Sequence, residues 1–311
     1  MERRTENKIV LVTQKTRLEM LIRRYNTAGQ AQFYIEHHGG DFGDYLAEHE
    51  QYTAALAAAE QSLSTLGRVT RLDRDFLTGY IFGETDTIVA LGRDGLVANT
   101  MKYLNGQPMI GVNPDPKRWD GVLLPFGVGD LPKVVPEVFA GRRTVKSVTF
   151  AEAALSDGQT LCAVNDLFIG QKGHASARYI ISSGGRQEEQ SSSGMLVSTG
   201  LGSTGWLRSV IAGAAGIAKV CGLTGTPTLP EGFGWSSEYL CYSVREPFPS
   251  RTTGTDLVFG KVDADTPLRV TSLMPENGVI FSDGIEADSL EFNSGATATI
   301  IPAKRKGMMI V

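Results

Sequence analysis

Two stretches of this chain carry residue types that can hold a phosphate. Leu196–Trp206 reads LVSTGLGSTGW, and Asp86–Leu96 reads DTIVALGRDGL. Each is an apolar, β-favouring run that breaks into glycine, hydroxyl and charge, then resumes in a helix-like run. Such loops aim backbone N–H groups at an anion, beside a helix N-terminus whose dipole favours negative charge. Gly92, Gly95, Gly202 and Gly205 let backbone approach a ligand with no Cβ in the way. Ser203 and Thr204 add hydroxyl donors. Asp94 adds a carboxylate, which a loop that only holds phosphate does not need. An acid there can accept a hydroxyl proton, or hold Mg²⁺ directly or through water. The chemistry these loops suggest is phosphoryl transfer or nucleotide binding. Plainer readings stand beside it: GRDG as a β-turn before a helix, and STGLGSTG as an N-cap with a glycine-rich turn.

Other positions add to the set. Asn165 and Asp166 end the run TLCAVND and precede LFIG. A polar pair among apolar strand residues must find partners, because burying it unsatisfied costs a few kcal/mol. It either holds the two hydroxyls of a ribose or forms a bulge or turn. Trp206 either stacks on a base or belongs to the core. Ser282–Gly284 (SDG) signals a hairpin turn. The four histidines, His37, His38, His49 and His174, show no metal-ligand spacing and read as surface residues. No GxxxxGK[ST] sequence is present, which argues against a P-loop kinase.

The elements that must position these residues follow from the apolar pattern. Lys8–Thr13, Arg68–Leu72, Thr87–Leu91 and Met109–Val112 read as strands. Arg17–Asn26, Phe42–Leu66 and Leu96–Leu104 read as helices, the second capped by Gly67. Alternation of this kind predicts a parallel sheet whose ligands lie beyond the carboxyl ends of the strands, where GRDG falls. Prolines 114, 116 and 125 mark Asn113–Gly129 as a linker or crossover. Beyond it, short β-rich runs predict an antiparallel sandwich, interrupted by one helix from Leu207 to about Val220. These runs are Thr144–Phe150, Thr160–Ile169, Ala177–Ser182, Gly194–Ser198, Leu240–Val244, Leu268–Leu273, Val279–Ser282, Ala296–Ile301 and Met308–Val311. Ser182–Ser193 reads as a polar hairpin or loop. The expected division is 1–125, an α/β domain carrying GRDG, and 126–311, the β-domain.

The bulk composition permits this plan. A chain of 311 residues with 41% hydrophobic residues supports two cores. A net charge of −4 disfavours nucleic acid as a partner. No apolar run approaches the ~20 residues that span a bilayer. MERRTENKIV offers neither a signal-peptide core nor an arginine-rich transit segment, and Cys162, Cys221 and Cys241 lack paired spacing. A reducing cytoplasm and free thiols are expected.

In order and spacing, the pieces resemble the NAD kinase family, most closely its mitochondrial-type branch. That family carries GGDGT at a strand end, an asparagine–acid pair, a TGxGS-type loop and a late DG turn. The counterparts are Gly92-Arg93-Asp94-Gly95-Leu96, Asn165-Asp166, Thr199-Gly200-Leu201-Gly202-Ser203 and Asp283-Gly284. KTRLEMLIRRY, PMIGVNPDP, AVNDLFIG and YSVREPF are also similar, so the resemblance spans nearly the whole chain.

The resemblance implies a Rossmann-like N-terminal α/β domain, a C-terminal antiparallel β-sandwich, and NAD bound in the crevice between them. It implies transfer of a phosphoryl group from ATP, or sometimes polyphosphate, to the 2′-hydroxyl of the adenosine ribose, with Mg²⁺, giving NADP. Asp94 matches the acid that engages that hydroxyl. Asn165 and Asp166 match adenosine-side contacts. Ser203, Thr204, Trp206 and Ser209 match the adenine and phosphate wall. Gly92, Arg93, Gly95, Ser193, Thr199, Gly202 and Asp283 complete the nucleotide-binding set. It also implies a homodimer or larger homo-oligomer. The chain departs from the pattern at Arg93 and Leu96, which replace a glycine and the threonine of GGDGT. Ser193-Gly194 lacks the acid that many bacterial members have there, as does the mitochondrial branch. Arg93 either clamps a donor phosphate or blocks its site. Two other readings therefore stay open: a non-catalytic NAD(P)-binding protein, and a kinase for another small hydroxyl substrate.

Overall fold

The computed structural model describes residues 4–223 and 232–311. The chain forms two compact units, Met1–Lys146 with Gly307–Val311, and Ser147–Lys306. The division thus falls later than residue 125, and the chain's last residues belong with its first unit. Among the described residues, no helix is long and apolar enough to cross a membrane.

The first unit is built on parallel strands: β1 (Lys8–Thr13), β2 (Arg68–Asp73), β3 (Thr87–Leu91), β4 (Pro108–Asn113) and the short β5 (Phe126–Gly127). β1 lies between β2 and β3, β3 pairs with β4, and the upper end of β4 pairs with β5. The chain's end adds Met308 and Met309, parallel to Pro108 and Met109. β1 and β3 are buried on both faces, which is why they read as unbroken apolar runs. Around them lie α1 (Arg17–Tyr25), α2 (Ala28–His37), α3 (Phe42–Ser64), α4 (Asp94–Met101) and α5 (Leu131–Phe139). Tyr52, Leu56, Ala59 and Leu63 of α3, with Leu131, Val134 and Val135 of α5, pack on Ile9, Leu11, Val89, Leu91, Ile110 and Val112. Thr16 starts α1 with a reciprocal capping box: its hydroxyl accepts the Glu19 N–H at 3.2 Å, and Glu19 accepts the Thr16 N–H at 2.8 Å.

Several local expectations change here. α2 and α5 were not expected. α2 buries only Ala31 and Ile35 and has a weak sequence signal; α5 has apolar residues at helical spacing, Leu131, Val134, Val135 and Val138, but carries Pro136 inside it, which argues against a helix. α3 ends at Ser64 with Thr65 as its cap; the Gly67 N–H still bonds the Leu63 carbonyl at 3.1 Å, but Gly67 does not adopt a positive φ, and a Cβ on it would lie 2.4 Å from the Asn7 carbonyl oxygen. The glycine permits close approach of the chain entering β1.

The second unit is a pair of antiparallel sheets. One contains β6 (Val145–Leu155), β7 (Thr160–Ala163), β9 (Ala177–Ser183), β10 (Arg186–Ser192), β14 (Leu268–Ser272) and β17 (Thr297–Ile310). The other runs β13-β12-β11-β8-β15-β16. Its strands are β8 (Asp166–Gln171), β11 (Met195–Ser198), β12 (Leu240–Val244), β13 (Phe259–Val262), β15 (Gly278–Ser282) and β16 (Ile285–Glu291). One core joins the inward faces of both sheets, including Tyr179, Ile181, Val270 and Ile300 from one and Leu167, Ile169, Val197, Tyr242 and Ile280 from the other. The polar Ser182–Ser193 stretch is the β9–β10 hairpin, turned by Gly184 and Gly185 at φ 57° and 77°. α6 (Trp206–Val220) interrupts the strands as expected. The run Thr160–Ile169 is not one strand: it breaks after Ala163, and β8 begins at Asp166.

Candidate functional site

In the first unit, the GRDG loop joins β3 to α4. The Gly92 N–H donates to the Val112 carbonyl at 3.2 Å, tying the loop to the end of β4. A Cβ on Gly92 would meet Leu96 Cδ2 at 2.8 Å and Gln14 at 3.1 Å, whereas one on Gly95 would meet nothing within 4 Å. Gly95 is exposed in the first turn of α4, where N–H groups have no intrahelical acceptor. Asp94 starts that helix, and its carboxylate is already engaged. Oδ1 accepts the Leu123 N–H at 2.8 Å and Oδ2 accepts the Val122 N–H at 3.3 Å. The acid therefore fastens the 122–123 loop, and each oxygen keeps acceptor capacity.

Arg93 neither points freely into solvent nor stands alone. Its Nη2 donates to Glu48 Oε1 at 2.8 Å, and its guanidinium lies 4.2 Å from the centre of the Trp119 ring. Glu48 Oε2 accepts from Arg17 Nε, and Arg17 also reaches Asp44 at 2.8 Å. Arg118 pairs with the same Asp44 at 2.6 Å, and the two arginines hold the Asp44 carboxyl below the usual carboxylate range. Glu48, Trp119 and Arg118 carry no motif signal in the sequence, and Arg17, inside KTRLEMLIRRY, was not singled out there. Trp119 alone could have been suspected, as an aromatic residue soon after the end of β4. His49 is half-buried rather than a surface residue, with Nδ1 3.0 Å from the Thr16 hydroxyl.

In the second unit, Asn165–Asp166, Thr199–Ser209 and Asp283 come together. Asp283 sits at φ 53° in the β15–β16 turn, beside Gly284 at φ 73°. Its Oδ1 accepts the Asn165 N–H at 2.7 Å and the Asp166 N–H at 3.3 Å; Oδ2 accepts the Val164 N–H at 3.0 Å. This carboxylate, read from sequence as part of a turn, is what holds the chain between β7 and β8. Thr199 locks the same segment from the other side. Its hydroxyl donates to the Val164 carbonyl at 2.6 Å and accepts the Gly202 N–H at 3.2 Å. Its own N–H donates to Asn165 at 2.9 Å.

Gly202 is required by that closeness: a Cβ would lie 2.2 Å from the Asn165 carbonyl oxygen and 2.7 Å from Asp166 Oδ1. Asp166 is half-buried as a residue, but its Oδ1 is fully buried and has no hydrogen-bond partner. Burial, with the Asp283 charge adding to it and the Ser198 hydroxyl opposing it, pushes the Asp166 carboxyl up to about 7.

The hydroxyls of the loop divide by role. Ser203 is buried, donating to Gly200 at 2.7 Å and accepting the Phe233 N–H at 3.0 Å. Thr204 and Ser209 are exposed, with weaker bonds to Leu201 at 3.4 Å and Gly205 at 3.3 Å. Trp206 heads an aromatic stack: its ring lies 5.9 Å from Phe168 at 6° between planes, and Phe168 lies 4.8 Å from Phe281. The Arg245 guanidinium is 5.4 Å from the Trp206 ring. Ser193 is exposed, and its N–H donates to the Arg245 carbonyl at 2.9 Å. Phe168, Phe281 and Arg245 were not singled out from the sequence. Among the described residues, no group of three or more His, Cys, Asp or Glu side chains could hold a metal ion.

An α/β unit with a glycine loop after its third strand, followed by a two-sheet unit with a second such loop, has counterparts among solved structures. The chain has the fold of the NAD kinases. A crystal structure of yeast NADH kinase complexed with NADH matches with a TM-score of 0.60 at 14% identity, covering 99% of this chain and 84% of that one. A crystal structure of an NAD kinase from Archaeoglobus fulgidus in complex with ATP matches with a TM-score of 0.55 at 15% identity, covering 97% and 93%. No family model matches the chain, and no curated protein matches it in sequence.

Proposed function

We propose that this protein transfers the γ-phosphoryl group of ATP to the 2′-hydroxyl of the adenosine ribose of NAD, giving NADP and ADP. The observation that carries the reading is Asp94, in the first turn of α4 at the carboxyl end of β3, in a chain with the NAD kinase fold. In the transfer, the 2′-oxygen bonds to Pγ as the bond from Pγ to the bridging oxygen breaks. The hydroxyl proton passes to Asp94, whose Oδ2 is the less committed oxygen because its bond to Val122 is the longer.

The open N–H groups at the start of α4, with exposed Gly95, suit the donor phosphates. Asn165 and Asp166, held by Asp283 and Thr199, are assigned to the dinucleotide's ribose. Ser193, Ser203, Thr204, Trp206 and Ser209 are assigned to the wall of the same site, with Ser203 and Thr199 shaping the loop. The described residues offer no ready cage for Mg²⁺, so the cation is assigned to the donor phosphates and no step runs through it. The reading carries with it a cytoplasmic setting and a homodimer or larger assembly, the latter open to light scattering.

The test is incubation with NAD, Mg²⁺ and ATP, with NADP assayed enzymatically. A second reading, a non-catalytic NAD(P)-binding protein, draws on Arg93, which pairs with Glu48, and on Leu96, which packs where Gly92 leaves room. NAD binding with no NADP formed from ATP or polyphosphate selects that second reading.

A further inference from the structure

The first unit contains a carboxylate held by two arginines. Glu48 is nearly buried, with 9% of its side chain exposed, and it accepts from two guanidinium groups at once. One belongs to Arg17, which has other partners in Asp44 and in the Tyr45 ring 4.4 Å away. The other belongs to Arg93, the residue before the candidate catalytic acid, whose guanidinium lies 4.2 Å from the centre of the Trp119 ring. Glu48, Arg93 and Trp119 line a cavity of about 20 Å³ together with Gln14, Lys15, Thr16, Tyr52, Pro114 and Asp115. That volume accommodates a water and not a phosphate. Gln14, Arg93 and Pro114 follow the carboxyl ends of β1, β3 and β4, where ligands of parallel sheets bind.

We propose that Glu48 parks Arg93 on Trp119 in the free protein, and that the phosphate chain of a nucleoside triphosphate replaces Glu48 as the partner of Arg93. The proposal rests on the reading that donor phosphates lie at the GRDG loop. A guanidinium fork fits carboxylate and phosphate alike, so the two compete for it directly. A triphosphate brings several negative charges against the single charge of Glu48. The Arg93 side chain is 39% exposed, so it can swing without passing through the core. Glu48 is thus a positioning residue that weakens donor binding by holding Arg93 away from the donor. When the binding-competent state is a minor one, apparent affinity falls by its population.

The sign of the mutant effect separates this from a structural role. Glu48→Gln should lower the apparent KM for ATP, and the Kd for inorganic tripolyphosphate, by roughly 5- to 30-fold, with KM for NAD unchanged. A structural role alone would leave these constants unchanged or raise them. A second measurement needs no Glu48 variant: tripolyphosphate should change the tryptophan emission of the native chain, and Trp119→Phe should abolish that change. Tighter tripolyphosphate binding in Glu48→Gln without NADP formation would uphold the parked arginine and remove the kinase reading. NADP formation with an unchanged or raised KM for ATP in a folded Glu48→Gln protein would overturn the proposal and leave the kinase reading standing. Native emission indifferent to saturating tripolyphosphate would overturn it as well.

Discussion

Gly95 offers a direct test of whether the first loop approaches a ligand. It lies in the first turn of α4, is exposed, does not adopt a positive φ, and has no atom within 4 Å of a Cβ built on it. For the free protein, Gly95→Ala should therefore be harmless. Alanine should add up to about 0.5–1 kcal/mol by reducing the freedom of the unfolded chain and favouring the helix. A phosphate held against the Gly95 backbone changes the balance, because the new methyl then occupies ligand space. A loss of ~1.4 kcal/mol in donor binding, modest for a clash of this kind, is a tenfold fall in kcat/KM for ATP. The assay pairs urea unfolding with initial rates of NADP formation at saturating NAD. The expected result is equal or higher stability with at least a tenfold lower kcat/KM for ATP. Gly202→Ala is the contrasting case: its Cβ would lie 2.2 Å from the Asn165 carbonyl oxygen, so stability itself should fall, by about 1–3 kcal/mol. A Gly95→Ala enzyme as active as the native chain at limiting ATP would refute close approach of the donor to this backbone.

Four further outcomes are expected. Asp94→Asn should lower turnover by ~10²-fold or more while leaving NAD affinity nearly unchanged; it should also cost about 1–3 kcal/mol of stability, since the amide's NH₂ would face a backbone N–H of Val122 or Leu123. Native-like turnover would remove Asp94 from the mechanism. Asp166→Asn tests the raised carboxyl: a folded value of about 7 against an ordinary 3.8 means that folding favours the protonated form. Asp166 therefore destabilises progressively as pH rises from about 4 to 7, and fully above that, by on the order of a few kcal/mol. The stability advantage of Asp166→Asn should grow over that window in urea melts, and an advantage independent of pH would contradict the assignment. Ser203→Ala should destabilise by about 1–3 kcal/mol because it leaves the Phe233 N–H unpaired. Ser209→Ala should leave stability alone and raise KM for NAD; unchanged kinetics would remove Ser209 from the site.

The sequence by itself determined what depends on neighbours along the chain. Buried parallel strands announce themselves as unbroken apolar runs, so Lys8–Thr13 and Thr87–Leu91 appear as the strands they form. The helix after STGLGSTG, the β9–β10 hairpin and the turn at Asp283–Gly284 are likewise local, set by glycine, hydroxyl and turn chemistry. The order of GRDG, Asn165-Asp166, STGLGSTG and Asp283-Gly284 carried the resemblance to the NAD kinases, whose fold the chain has. α2 stayed illegible because its burial is slight, and α5 because Pro136 masks the helical spacing of Leu131, Val134, Val135 and Val138.

Only the tertiary structure decided what each polar side chain does. Asp283 lies more than a hundred residues from Val164, Asn165 and Asp166, yet its carboxylate takes their three N–H groups. Asp94 binds the 122–123 loop, and Arg93 is captured by Glu48, 45 positions away in the chain. Hydrogen-bond partners of this kind are set by how strands and helices stack, through distances of about three ångströms that no sequence spacing encodes. Gly67 and Gly202 show the same limit, since each is glycine because a distant carbonyl oxygen stands where a Cβ would be.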